Sequence, residues 1–190
     1  MNADDTRLVD QLRAGDEDAY RELVETYQDR IITVVARVAG GYADAEDLAQ
    51  ETFLKAFNAI GRFAGQSALY TWLYRIGVNT ARDYLAHRRR RPAISLESLP
   101  AGAVDPPSED CGPLDGLERD ELRARVRDAM ERLPEPFRTT LILREMEGHT
   151  YEEVAGILEI SIGTVESRIF RARTKLRALL LADLPKQQSD

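Results

Sequence analysis

Cysteine is almost missing from this chain: its 190 residues hold one, Cys111, so no internal disulfide can staple the fold. Histidine is nearly as scarce, with His87 and His149 only. The two lie far apart, and neither has a set of metal-ligating neighbours at a usable spacing. His87 sits in an arginine run and reads as solvated; His149 precedes a helix start and reads as a cap or surface residue. No apolar run approaches the roughly 18–20 residues that a membrane-spanning helix needs. The first residues, Met1-Asn2-Ala3-Asp4-Asp5, are acidic where a secretory leader is basic and then apolar. A soluble cytoplasmic protein is expected. Enzyme signatures are lacking too, with no phosphate-cradling glycine loop carrying its lysine and no nucleophile elbow. The acids Asp44, Glu46, Asp47 and Glu51 fan around a helix rather than converging on a cation. The sequence therefore predicts no catalysis, no cofactor, no metal and no small-molecule substrate.

What the chain does have is unevenly placed charge. Acids outnumber bases 33 to 26, for a net charge of −7. Yet residues 62–91 carry seven arginines against one aspartate, and residues 161–181 carry five bases against one glutamate. Between them, residues 92–121 carry eight acids and one arginine. Two basic islands in an acidic chain suggest two separate polyanion contacts, with surroundings that weaken indiscriminate binding. A solvated helix face is the plainer reading of either island alone.

Residues 92–117 contain Pro92, Pro100, Pro106, Pro107 and Pro113 with glycines, serines and acids, and no apolar periodicity. Such a stretch cannot offset its own conformational entropy by burial, so it reads as a flexible acidic linker. It divides the chain into domains at 16–91 and 118–182. Both show helical spacing. Leu8, Leu12, Ala19, Leu23, Tyr27, Ile31, Val34, Val35 and Val38 recur every three to four residues, with Asp16 as an N-cap. Helices are predicted over 43–60, with Leu48, Phe53, Leu54 and Phe57 inward, and over 67–89. In the second block they are predicted over 118–132, 137–147, 150–158 and 161–180. Nothing alternates with a period of two, so the predicted class is all-α, two small helical domains.

Three constellations stand out. Over residues 150–177, Val154, Ala155 and Leu158 give a short helix its apolar face, and Ser161 can cap the next helix. Ile162, Val165, Ile169, Ala172 and Leu176 then turn inward, leaving Thr164, Ser167, Arg168, Arg171 and Lys175 outward. That is a helix-turn-helix with a basic helix sized for the major groove, where arginines meet guanine edges or phosphates. The alternative is a helical hairpin solubilised by arginine. Over residues 63–91, Trp72, Arg75, Asn79 and Arg82 form a stripe beside the apolar face Leu69, Leu73, Ile76, Thr80 and Tyr84. An aromatic, an amide and two guanidiniums suit unstacked bases held against a backbone; alternatively Trp72 packs in the core. Third, Asp47, Gln50 and Glu51 form an acidic patch, either docking on a basic helical partner or merely solvated.

These segments in this order resemble an extracytoplasmic-function (ECF) sigma factor of bacterial RNA polymerase, of the sigma-E-like branch. The resemblance is carried by Asp47-Leu-Ala-Gln-Glu-Thr-Phe-Leu-Lys-Ala-Phe57, Ser67-Ala-Leu-Tyr-Thr-Trp-Leu-Tyr-Arg-Ile-Gly-Val-Asn79, Tyr151-Glu-Glu-Val-Ala155 and Gly163-Thr-Val-Glu-Ser-Arg-Ile-Phe-Arg-Ala-Arg173. It implies a sigma-2 domain linked to a sigma-4 domain, transcription initiation by promoter recognition and melting, and a role in a stress response. Asp47, Gln50 and Glu51 match the surface that grips the β′ clamp coiled coil. Phe63 to Ser67, with Trp72, Arg75 and Asn79, match the part that melts and reads the −10 element, with Arg82 continuing the stripe. Ser167, Phe170, Arg171 and Arg173, flanked by Arg168 and Lys175, match the helix that reads the −35 element, while sigma-4 seats on the β flap. An anti-sigma factor, often membrane-anchored in this branch, is a further implied partner. Glu166 stands where many relatives carry arginine or lysine, and Ala64-Gly65-Gln66 where Arg-Gly-Asp is common, so promoter sequence does not transfer. The rival readings are an autonomous helix-turn-helix repressor, which leaves the Trp72 stripe without a role, and a metal-dependent hydrolase using the acids of the second helix.

Overall fold

The computed structural model describes residues 3–90 and 113–183. Residues 91–112, which include most of the expected linker and Cys111, lie outside the described residues. Within these limits the chain forms α1 (Ala3–Arg13), α2 (Glu17–Ala39), α3 (Ala45–Ala59), α4 (Leu69–Arg90), α5 (Pro113–Glu131), α6 (Glu135–Leu141), α7 (Tyr151–Leu158) and α8 (Ile162–Ala182). A 3-10 turn, Ile60–Arg62, follows α3, and a π turn, Ile142–Met146, follows α6. No strand occurs among the described residues.

Local chemistry explains where the helices start and stop. Asp16 caps α2, its carboxylate accepting from the backbone N–H of Asp18 at 2.9 Å and of Ala19 at 3.3 Å. Gly40, with φ of 84°, ends α2 in the left-handed region that glycine enters without strain. Thr150 and Glu153 form a reciprocal capping box at the start of α7. Ser161 caps α8 by accepting from Thr164 N at 3.2 Å. The linker was expected to run to 117, but α5 already begins at Pro113, whose missing N–H costs nothing in a first helical turn.

In the first unit α2, α3 and α4 pack around Leu23, Ile31, Val34, Val35, Leu69, Leu73 and Val78, all at most 1% exposed. The unit reaches back ahead of the expected start at 16, because α1 buries Leu8, Val9 and Leu12 on it. In the second unit α7 and α8 bury Val154, Ile157, Val165 and Ile169, and α5, α6 and α8 meet around Leu133, Leu141 and Ala172. Ile157 joins Val154 in the core, whereas Ala155 and Leu158 are only half-buried, and Ile162, expected inward, is 43% exposed. The two units share a seam. One face of α4 lies against α7, and the apolar cores of the two units are continuous there.

Candidate polymerase and nucleic-acid interfaces

Helix α3 exposes Asp47, Gln50 and Glu51 along one side. Leu54 and Phe57 were expected inward, yet they are 58% and 44% exposed and continue that side toward the C-terminal end. Spacings of three and four residues put all five on one stripe. The ring of Tyr20, from α2, stands edge-on to Phe57 with centroids 5.2 Å apart. Lys55 pairs with Glu51 at 2.8 Å beside the stripe. An exposed apolar pair rimmed by acids is a composition that protein-docking surfaces share. Sequence reasoning placed Leu54 and Phe57 in the core; the signal against that was an apolar stripe wider than α3 could bury against α2 and α4.

Helix α4 carries the second constellation, and the structure divides it. Trp72 is 6% exposed and Phe63 4%, with the two rings 5.1 Å apart. Trp72 therefore does not offer an open stacking face; with Phe63 it braces the loop that leads into α4. Arg75 and Arg82 reach the surface, and Asn79 is exposed. Asn79 and Arg82 line a cleft with Asp83, Ala86, Arg89 and Glu135. Arg88, Arg89 and Arg90 extend the positive potential through the last turn of α4, where cations also complement the helix dipole.

Helix α8 is the second helix of the helix-turn-helix. Ser167, Phe170, Arg171, Arg173 and Lys175 are exposed, Phe170 by 73%, and Arg168 is half-buried. Arg173 is ion-paired with Glu145 of the π turn. Arg168, Arg171 and Lys175 have no carboxylate partner among the described residues. A free guanidinium, an exposed aromatic and a hydroxyl on successive turns match the requirements of groove contact.

The seam buries a residue expected at the surface. His149 is 8% exposed, stacked on Tyr70 with centroids 6.2 Å apart and edge-on to Tyr74 at 4.9 Å. Its Nδ1 lies 3.5 Å from Glu153 Oε2, and its Nε2 is buried with no partner among the described residues. Burial pushes its pKa below the ordinary 6.5, against the upward pull of Glu153 and Glu147. Burial, reinforced by Glu147, also pushes the Tyr74 phenol up to about 12, so it stays neutral. A histidine kept neutral in the fold makes the unfolded chain bind more protons at low pH. Its contribution is thus complete above 6.5 and lost as pH falls below that value. Thermal melts between pH 7.5 and 5.5 should show stability sagging toward acid, and His149→Gln should flatten the sag. A wild-type profile already flat over that range would refute the role of His149.

The α3 acids are not arranged to hold a metal: among the described residues no three of His, Cys, Asp and Glu converge on a common point. No described helix is long and apolar enough to cross a membrane.

Comparison with known proteins places both helical units in one family. The family Sigma-70 region 2 matches residues 23–91, and Sigma-70, region 4 matches residues 123–176. The RNA polymerase sigma-H factor of Pseudomonas aeruginosa is 43% identical over 173 residues, covering 89% of this chain and 90% of the relative. The ECF RNA polymerase sigma-E factor of Escherichia coli K12 is 42% identical over 175 residues, with the same two coverages. Of solved structures, CnrH in complex with the cytosolic domain of CnrY is similar with a TM-score of 0.67 and 31% identity, over 95% of this chain and 99% of that one. The sigma factor RpoE of Bartonella quintana, in complex with the anti-sigma factor NepR, shares the fold with a TM-score of 0.60 and 24% identity, over 87% of this chain and 98% of that one. Matched in both helical units and along nearly its whole length, the chain belongs to the ECF sigma factors, which direct RNA polymerase to start transcription at specific promoters.

Proposed function

We propose that this chain divides promoter recognition among the three faces described. The α3 face, Asp47, Gln50 and Glu51 with Leu54 and Phe57, docks on the β′ clamp coiled coil of core polymerase. On α4, Arg75, Asn79 and Arg82 meet the opened −10 strand, and Phe63 and Trp72 hold the preceding loop in shape for a flipped base. On α8, Ser167, Arg168, Phe170, Arg171, Arg173 and Lys175 read the −35 duplex, and the same unit seats on the β flap. The chain makes and breaks no covalent bond, needs no cofactor, and acts in the cytoplasm. The reading extends to an anti-sigma partner with a membrane anchor; CnrH, 31% identical, is solved in complex with the cytosolic domain of CnrY.

One observation carries this reading above an autonomous repressor: the exposed pair Leu54 and Phe57 within an acidic stripe. An autonomous repressor would need such a surface for a second copy of itself, whereas the match of residues 23–91 to Sigma-70 region 2 supports a polymerase as the occupant. Transcription in vitro with purified core polymerase on a genomic library tests it, since promoter-specific transcripts must depend on the added chain. Asn79→Ala should leave core binding intact yet abolish most strand opening, because an amide pairs with a base edge only after unstacking. Normal permanganate reactivity at the −10 element in that variant would remove Asn79 from the reading.

A further inference from the structure

Glu166 is the one acid within α8, and it is exposed. The residues three and four positions away on either side are Ile162, Gly163, Ile169 and Phe170, so no cation meets its carboxylate along the helix. Other carboxylates of the second unit are taken: Glu159 pairs with Arg75 and Glu135 with Arg82, each at 2.7 Å, and Glu145 holds Arg173. Arg173 lies two turns on from Glu166 on the same line of the helix, and Glu145 already occupies it. Among the described residues Glu166 has neither an ion-pair nor a hydrogen-bond partner. Gly163, one turn earlier on that line, leaves the approach clear, since a Cβ built there would meet nothing within 4 Å. Beside Glu166, Ser167 donates its hydroxyl hydrogen to the Thr164 carbonyl at 3.0 Å, so its oxygen turns only lone pairs outward. The opening turns of the α8 face thus offer acceptors, and the donors Arg171 and Lys175 follow one and two turns after Ser167.

We propose that Glu166 is a specificity-determining residue, selecting cytosine at one position of the −35 element by accepting from its N4 amine. The inference rests on the assignment of α8 to that duplex. A helix-turn-helix presents the first turns of its second helix to base edges, and a carboxylate carried there is repelled by the phosphates on either side. The repulsion is offset only where the facing group is a donor. In the major groove the donors are the amines of cytosine and adenine. Adenine sets its N7 acceptor beside the amine, where it repels the second carboxylate oxygen; cytosine has no acceptor on its own major-groove edge. Cytosine is therefore the base that an unneutralised carboxylate distinguishes best. Arg171, farther along the face, suits an acceptor-rich base such as guanine instead, so α8 discriminates by the order of its acceptors and donors rather than by total charge.

Holoenzyme assembled from the full chain and core polymerase, selected on promoters with randomised −35 positions, tests this in the wild type and two variants. The wild type should favour cytosine at one position by about fivefold to thirtyfold, the lower part of the range for a base-edge contact. Glu166→Ala should erase that preference and spare those at other positions. It should also bind sequences lacking the cytosine slightly tighter than the wild type does, because the repulsion is gone. Glu166→Gln keeps the shape but gains a donor, so the preference at that position should move from cytosine to adenine. Glu166 has no folding partner to lose, and both variants should melt as the wild type does. A Glu166→Ala variant that binds every sequence tighter by the same factor would overturn the proposal, since Glu166 would then only repel phosphate. Variants that keep all the wild-type preferences would overturn it equally. If the wild type itself shows no preference at any −35 position, the assignment of α8 to that element fails, not the role of Glu166 alone.

Discussion

Phe57→Asp is expected to weaken binding to core RNA polymerase by at least about 30-fold, or ~2 kcal/mol, the loss typical of a central interface anchor. Phe57 is suited to be that anchor. Its ring is 44% exposed, it adjoins the 58% exposed Leu54, and Tyr20 already braces it edge-on. An aromatic held in place before binding loses little rotamer freedom on docking. An aspartate there would forfeit the apolar burial and leave a carboxylate desolvated without a partner. Because Phe57 lies outside the folding core, the melting temperature should move little, as for surface substitutions that cost within about 0.5 kcal/mol. Fluorescence titration against core polymerase, paired with a thermal melt, separates the two effects. Unchanged affinity with an unchanged melt would mean that α3 is not the docking face.

The second large effect is expected at Arg171. Arg171→Ala should cost about 1–3 kcal/mol of −35 binding if the guanidinium reads a base. Of the basic residues on α8, Arg173 is held by Glu145 and Arg168 is half-buried, whereas Arg171 is exposed and without a carboxylate partner among the described residues. Ser167, one turn earlier, and Phe170 flank it on the same face. Base readout and phosphate contact give different signatures. Loss of a base contact relaxes the preference at one position, while loss of a phosphate contact weakens all sequences alike and lowers the salt dependence. Binding measured across a set of −35 variants at two salt concentrations distinguishes them, and a mutant indistinguishable from wild type would remove Arg171 from the interface. Glu166, exposed on the preceding turn, is a carboxylate, a group that accepts from cytosine and repels phosphate.

Much of this architecture is legible in the residues alone. The three-to-four spacing of Leu23, Ile31, Val34 and Val38 marks α2, and the caps at Asp16 and Ser161 mark two helix starts, because these signals are local. The helix-turn-helix follows from the run of Val154 through Ala172 for the same reason. The errors share a physical origin. Apolar periodicity shows that a residue faces other matter but not whose, so Leu54 and Phe57 read as core although they face outward. The Trp72 stripe assumed that α4 buries one side only; in fact α2 and α3 cover it on one side and α7 on another, and Trp72 falls inside. His149 reads as a surface residue until Tyr70 and Tyr74 arrive from a helix some seventy-five residues away in sequence. The ion pairs of Arg75 and Arg82 span 84 and 53 positions, beyond the reach of any local pattern.

Arg13, in the last turn of α1, donates from Nη2 to the backbone carbonyl of Phe63 at 2.5 Å. With Leu8, Val9 and Leu12 buried on the same unit, that bond ties α1 to the loop ahead of α4, the segment proposed to hold a flipped base. A deletion of α1 is therefore not innocent: it removes a support of the segment proposed to face the promoter bubble. Start-site selection measured with a preparation lacking α1 would then report that lost support along with the native protein.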